Sequence, residues 1–598
     1  MRRSSQLLVC SALLLSSAGA TTYLSPRDVD WSKDGKFVYV TAQTGKQVLC
    51  FDPSTRAVAK SIPLPGEPTE LIQRGDALLV TGGGPNGRVW MIEADEISRE
   101  LRTGHSPISP VLSPDGETLY VCNRFDNDVS FIDLESGETI ARVPVAREPI
   151  ASDLSRDGTY LFVANHIPDG RADSDYMAAK ISVINTETRA VKTIPLVNGA
   201  EGLRGLKVSP DGTKVYATHQ VARFLVPTTQ LERGWVSTDA LSVIDVASQT
   251  LEHTVLLDDV DQGFPNPWAL GFSSDGKTLV VSSAGIHEIS LIDLPALTAK
   301  IAAARATSEN DARRGADNDL SFLSGIRRRI KLEGLGPRAL AVEGNTVYIG
   351  NYFSDTLEVI RFNRDGKTRG AAFPLGPKQS ITAERQGEIY FNDARLCFQN
   401  WLSCATCHPD ARTDGLNWDL LNDGIGNPKN AKSMLLAHET PRAMWLGVRP
   451  DAEAGVRAGL THIQFSVRPE ADAQAIDAYL RSLKPVPSPH LVDGALSESA
   501  RRGRNLFNDL GCARCHPAPL YTDLKTHQVG TTKGQDAGRE VDVPSLVELW
   551  RTAPYLHDGR AATIQDLLKT HDHAHALELT GSLSEQERDD LAEYLLSL

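Results

Sequence analysis

Ser113-Pro-Asp-Gly-Glu-Thr-Leu-Tyr-Val-Cys-Asn123, with Val129-Ser-Phe-Ile-Asp133 close behind it, reads as a turn, an apolar strand, a second turn and a second apolar strand. Asp-Gly marks a reversal because glycine takes the positive φ that tight turns need. The pattern recurs from about residue 25 to residue 390. Asp-Gly turns stand at Asp34-Gly35, Asp115-Gly116, Asp157-Gly158, Asp211-Gly212 and Asp275-Gly276, each followed by an apolar run such as Phe37-Val-Tyr-Val40 or Tyr160-Leu-Phe-Val163. Degenerate copies stand at Gly75, Gly344 and Gly387, and strands ending apolar-x-Asp recur at Asp133, Asp245 and Asp293. The glycine-to-glycine spacings are 40, 41, 42, 54, 64, 68 and 43. A period near 40 residues built from short β runs is the mark of a propeller with about four strands per blade. Eight markers bound seven periods, so residues 21–390 are expected to form an all-β, seven-bladed propeller. The lengthened periods place insertions near 167–178, 222–240 and 297–333, and long loops in a compact domain are usually functional or disordered.

The remainder is organised around Cys404-Ala-Thr-Cys407-His408 and its echo Cys512-Ala-Arg-Cys515-His516. Cys-x-x-Cys-His is the attachment pattern of c-type haem: two thiols add to the vinyl groups and the adjacent imidazole binds the iron. A zinc site built from both Cys pairs is the structural alternative. Zinc ribbons separate their pairs by roughly 12–20 residues, whereas Cys407 and Cys512 lie 105 positions apart. A disulfide-forming redox pair is a second alternative in an oxidising compartment. The flanks of the two motifs also correspond. Thr440-Pro-Arg-Ala-Met-Trp-Leu-Gly-Val-Arg449 matches Thr552-Ala-Pro-Tyr-Leu-His-Asp-Gly-Arg560, and each half ends in an amphipathic run, Ala475–Leu483 and Asp590–Leu598. Two all-α cytochrome c-like domains are therefore expected at 391–484 and 495–598, joined by a Pro-rich linker at 485–494 that starts Pro485-Val-Pro-Ser-Pro489 directly after Lys484. Cys50, Cys122 and Cys397 read as buried or unpaired.

His408 and His516 would be the proximal iron ligands, and the opposite ligand sets the role of each haem. After Met177 the only methionines are Met434 and Met444, both in the first half. Histidine is the alternative. His462 follows His408 by 54 residues and His571 follows His516 by 55, so these two are the candidate distal residues, with His573 and His575 as neighbours able to substitute for His571.

The net charge of −14 over 598 residues argues against a nucleic-acid partner. Arg327-Arg328-Arg329 is the one basic cluster and reads as a solvated loop. Arg2 and Arg3, the apolar run Leu7–Leu15 and Ala18-Gly19-Ala20 form an export signal with cleavage after residue 20. No later run reaches the roughly 18 apolar residues of a membrane span. An exported, periplasmic or extracellular protein is expected.

Two families share these patterns. Ser113-Pro-Asp-Gly116, Tyr120-Val-Cys-Asn123 and Val129-Ser-Phe-Ile-Asp133 resemble the bacterial YVTN-type propellers, which implies the fold and little about activity. Val543-Pro-Ser-Leu546, Thr552–Arg560 and Thr563-Ile-Gln-Asp566 resemble the C-terminal domain of dihaem cytochrome c peroxidases and of the related enzyme that matures the methylamine dehydrogenase cofactor. That resemblance covers roughly residues 390–598. It implies two covalent haems, an electron-transfer haem ligated at the position of His571, and a calcium ion held by Asn430 and the carbonyls of Thr552 and Pro554. It also implies an inter-haem tryptophan at Trp445 and a distal acid, for which Glu453 and Glu470 are the candidates. The family's switchable histidine falls on Asn422, a departure. Haem one would then reduce peroxide or oxidise a substrate, with His462 as base or ligand. Haem two would exchange electrons with a small cytochrome, a cupredoxin or a small-molecule oxidant. A pure electron carrier with two six-coordinate haems and a propeller-based binding protein are the rival readings.

Overall fold

The structure, a computed structural model, describes residues 23–224, 226, 236–307, 318–363, 368–420, 426–571 and 583–598, the side chains of Thr570 and His571 excepted. The expected leader at 1–20 lies outside the described residues. Seven four-stranded antiparallel sheets follow in chain order, the first from Pro26 to Pro63 and the last from Pro337 to Pro374. Each sheet is built from four consecutive strands, and apolar clusters fill the wedges between neighbouring blades.

One turn explains the repeat. In five blades a serine hydroxyl donates to the Asp of the Asp-Gly pair and accepts from the first amide of the next strand, as in Ser155 Oγ to Asp157 (2.6 Å) and Tyr160 N to Ser155 Oγ (2.9 Å). The glycine behind it takes φ near +70°, from Gly276 at 67° to Gly158 at 78°. Gly75 and Gly344 fill the same place in the two degenerate blades, with φ of 60° and 59°. Seven markers thus mark seven blades, one apiece. Gly387 is not among them. It lies inside the helix Ala383–Asn392, where an added Cβ would meet the Ala475 carbonyl oxygen at 1.8 Å. The 43-residue spacing that included it is a coincidence of two different uses of glycine.

That helix opens the first C-terminal module, eight residues earlier than the boundary expected at 391. It crosses the helix Glu470–Ser482 at Gly387, and in the second module Glu498–Asp509 crosses Glu585–Leu596 at Gly503. The crossings are copies. An added Cβ at Gly503 would meet the Asp590 carbonyl at 1.9 Å and Tyr594 Cβ at 2.8 Å, as at Gly387 it would meet Tyr479 Cβ at 2.8 Å. We expect Gly503→Ala to cost about 1–3 kcal/mol by overpacking, read as a lowered denaturation midpoint. Gly459→Ala, with nothing within 4 Å of the new methyl, should cost none of that. The modules are not purely helical: each carries a two-residue ladder, Asn417–Trp418 with Lys429–Asn430 and Thr526–His527 with Val541–Asp542.

The insertions have separate fates. Ala172 and Met177 from the first, with Ala222, Phe224 and Val236 from the second, pack on Trp401, Leu402, Leu416 and Trp418 of the first module. The third forms the helix Leu294–Thr307 against its own blade. Arg327-Arg328-Arg329 is not a loop; it opens the outer strand Arg327–Lys331 of the sixth blade, where Arg329 pairs with Asp259 (2.9 Å) and Glu288 (2.7 Å). Alternation along a strand turns two of the three arginines to one face, where acids await them. Cys50, Cys122 and Cys397 are buried free thiols.

Candidate functional site

Ser403 N donates to Thr406 Oγ1 (3.1 Å) and closes one helical turn over Cys404–Cys407, which His408 leaves by donating its amide to the Cys404 carbonyl (3.0 Å). His516 repeats that bond to Cys512 at 3.0 Å. In both motifs the imidazole is held the same way: His408 Nδ1 lies 3.0 Å from the Arg412 carbonyl and His516 Nδ1 2.8 Å from the Tyr521 carbonyl. A carbonyl only accepts, so Nδ1 carries the proton and Nε2 is the basic nitrogen, the tautomer that a proximal iron ligand requires.

The motif cysteines are not disulfide-bonded. Burial pushes the Cys404 thiol up to about 12 and the Cys407 thiol well above its ordinary range, an environment that disfavours the thiolates zinc needs. Among the described residues the two Cys pairs do not converge, and the one His/Cys/acid group with metal-ligand spacing is Cys515, Asp523 and His527. Its cysteine belongs to the second attachment motif. The donor sets fit haem c: His408 with Cys404 and Cys407 would hold one, His516 with Cys512 and Cys515 the other.

The distal candidates lie in matching turns. A π-helical turn spans Gly459–Ile463 in the first module and Leu567–His571 in the second. Each follows a side-chain-capped helix start, Asp451 accepting from Ala454 N and Thr563 from Asp566 N. Counted from those caps, His571 stands at the position of Gly459, and His462 comes three residues later. His462 is exposed. The side chain of His571, and all of Asn422, His573 and His575, lie outside the described residues.

Neither candidate acid is free. Glu453 pairs with Arg481 and Glu470 with Arg457 at the surface. Trp445 lies between the modules. Its indole donates to the Asn430 carbonyl (2.7 Å), its own carbonyl accepts from Asp542 N (2.8 Å), and Lys432 Nζ lies 5.2 Å from the ring while bonding Asp542 at 2.6 Å. Asn430 is buried beside the loop that carries Thr552 and Pro554, and an added Cβ at Gly559 would meet both Asn430 Nδ2 and Pro554 Cγ. That loop already holds a cation. Arg147 of the propeller donates to the Ala553 carbonyl (2.7 Å) and the Arg551 carbonyl (2.5 Å).

Two features escape a reading of the sequence. Gln464 is buried, its Nε2 lies 3.8 Å from Cys404 Sγ, and its Oε1 has no partner; a buried orphaned acceptor at the first attachment point is costly unless a ligand meets it. The second is a charged junction of all three units. Asp410, two residues past His408, meets Arg124 (2.6 Å) and Arg204 (3.4 Å) of the propeller and Arg551 (2.9 Å) of the second module. Glu148 bonds Arg124 (2.7 Å), and Arg412 makes a two-point pair with Glu548 (2.6 and 2.9 Å). The propeller also touches the first motif directly, through Gln220 to Thr406 (3.3 Å) and Asn266 to Ser403 (3.0 Å). One signal was available: the first motif continues Pro409-Asp410-Ala-Arg412, the second Pro517-Ala-Pro-Leu520.

No family model matches the chain. It is similar to hydrazine synthase subunit gamma of Kuenenia stuttgartiensis, 30% identical over 36% of this chain and 77% of that protein. Hydrazine synthase subunit beta of the same organism is 25% identical over 48% of this chain and 94% of its own length. The methylamine utilization protein MauG of Methylophilus methylotrophus is 27% identical over 38% of this chain and 84% of that protein. Cytochrome c peroxidases match over similar shares. A solved hydrazine synthase chain of Kuenenia stuttgartiensis shares the fold over 58% of this chain and 98% of its own, with a TM-score of 0.52 at 22% identity.

Proposed function

Starting from a chain that belongs to the dihaem cytochrome c peroxidase-like family and carries a seven-bladed propeller, we propose an exported oxidoreductase with two covalent haems of unequal role. The first module is the site of peroxide or substrate chemistry; the second exchanges electrons with a small cytochrome or cupredoxin. The observation that carries the reading is the asymmetry around two otherwise copied motifs. Gln464 brings an unpartnered acceptor to Cys404 inside a module roofed by propeller insertions, while Trp445 joins that module to the second.

Haem c, when bound, supplies one-electron redox chemistry. The chain's own residues do the rest. His408 and His516 present Nε2, and Gln464 offers its amide oxygen to a hydrogen-bond donor at the first site. His462, exposed on its π turn, is placed to exchange protons with solvent. Reduction of one hydrogen peroxide to two waters consumes two protons and two electrons, which enter through the second module. Calcium at Asn430, Thr552 and Pro554 belongs to the same reading, beside the charge that Arg147 already supplies, and no step depends on it. The test is low-temperature electron paramagnetic resonance on the oxidised protein. A high-spin ferric signal that peroxide converts is expected. Two low-spin signals indifferent to peroxide, even after one-electron reduction, would leave a pure electron carrier.

A second reading rests on the relatives alone. One chain here matches both the gamma and the beta subunits of hydrazine synthase, and in this reading the first module serves chemistry of the kind that name states. A convertible high-spin signal without peroxide turnover would favour it.

A further inference from the structure

Six of the seven inner strands begin with proline, which belongs at a strand's first residue because it has no amide to donate. In the first, sixth and seventh blades the residue after that proline, with Arg204 in the fifth, forms a partial ring at the end of the propeller axis that faces the first attachment motif, whereas Ile108 and Ile150 at the same place pack into the wedge between the third and fourth blades. Four adjacent blades supply Arg204, Trp268, Arg338 and Arg27 to this ring. The three guanidinium groups gather on one indole, with Arg204 at 4.3 Å, Arg338 at 4.7 Å and Arg27 at 5.7 Å from the Trp268 ring centre.

Below the ring lies a cavity of about 30 Å³ lined by His166, Arg204, Gln220, Trp268, Arg338 and Asp410, with Ala405 and Pro409 of the motif closing it. Its cations are not fully satisfied by the chain. Arg338 Nε is a buried donor without a partner, although its Nη2 donates to Asn392 Oδ1 (3.0 Å). His166 donates from Nδ1 to the Leu203 carbonyl (2.8 Å) and is neutral, so it brings no counter-charge. The one carboxylate in the lining, Asp410, is shared with Arg124 and Arg551 and lies 3.4 Å from Arg204. Burial and the neighbouring Arg124, Arg27 and Arg338 together outweigh Asp410 and lower Arg204 to about 9. Positive charge is in excess in a place from which water is largely excluded, and buried cations require counter-charge.

We propose that this cavity, at the haem-facing mouth of the propeller channel, is a binding site for a small monovalent anion, held between Arg204 and Arg338. A single water needs roughly 10–15 Å³ of such space, so the volume admits a halide or a one- or two-carbon carboxylate and excludes larger metabolites. The site stands on the propeller's residues and does not rest on the catalytic reading above.

Bromide is the probe, because its anomalous scattering locates it and it is a poor ligand for haem iron. Crystals of the full haem-loaded protein soaked in sodium bromide should show an anomalous peak between Arg204 and Arg338. In Arg338→Gln, accepted for comparison when its haem absorbance equals that of the parent, the peak should fall to noise. Bromide found on the outer surface alone, or an undiminished peak in Arg338→Gln, overturns the proposal. The parent crystals decide the question if the variant does not fold.

Discussion

Replacing Cys404 and Cys407 together by serine should lower covalently bound haem from two per chain to one and remove peroxide turnover, while the reciprocal Cys512/Cys515 pair should leave the peroxide-reactive iron but starve it of electrons. The first variant loses the high-spin ferric signal; the second keeps it and fails to turn over with a protein donor. Serine preserves the turn, because Cys404–Cys407 is held by backbone bonds and by Thr406, Gln220 and Asn266 rather than by the sulfurs. Haem content by alkaline pyridine absorbance and donor-dependent turnover check both arms. Two haems surviving in either variant would sink the assignment of one haem to each motif, and one haem in the parent would sink the two-haem reading itself.

Glu148→Ala should be the most damaging substitution outside the motifs. It leaves Arg124 and Arg551 with Asp410 as the one carboxylate they share, and Arg147 with backbone carbonyls, across the buried seam of propeller and second module. Removing one partner of a buried pair costs about 3–5 kcal/mol when the other charge is left uncompensated; Asp410 still pairs with Arg124 and Arg551, so the loss should fall at or below the lower end of that range. Acid should reproduce part of the effect. Burial works against the Glu148 charge, but Arg124, Arg551 and Arg147 prevail and hold its carboxyl at about 2. A carboxyl depressed in the folded protein stabilises it fully above the unfolded value near 4.3, and that contribution is lost as pH falls towards 2. Thermal melts between pH 6 and 2 should therefore fall more steeply in the parent than in Glu148→Gln. Equal slopes would show that the junction does not depend on this charge.

Much of this molecule was legible along the chain. Positive φ at a turn has a local signature, Ser-x-Asp-Gly, and that signature gives seven blades because each blade contains it or a degenerate copy once. Cys-x-x-Cys-His is equally local, and the His408 and His516 tautomers follow from carbonyls four and five residues downstream. Where the reading erred, one residue type served two purposes. Gly387 looked like a turn and is a helix crossing, and the difference resides in Ala475, 88 positions away. His462 and His571 share an offset from their motifs, yet the caps at Asp451 and Thr563 show that intervening chain length, not structural position, produced it.

By itself the sequence determined the local geometry: the period of the blades, the two Cys-x-x-Cys-His turns and the duplicated modules around them. Only the tertiary structure decided how these parts act on one another. The orphaned Gln464 acceptor is recognisable only because the chain returns to within 3.8 Å of Cys404 after 60 residues. The junction joins Arg124 and Glu148 to Asp410 and Arg551 across as many as 427 positions. Each of these residues, read in its own neighbourhood, is an ordinary surface charge. Folding removes their water together, and it is that shared desolvation, which no local pattern encodes, that turns them into one structure.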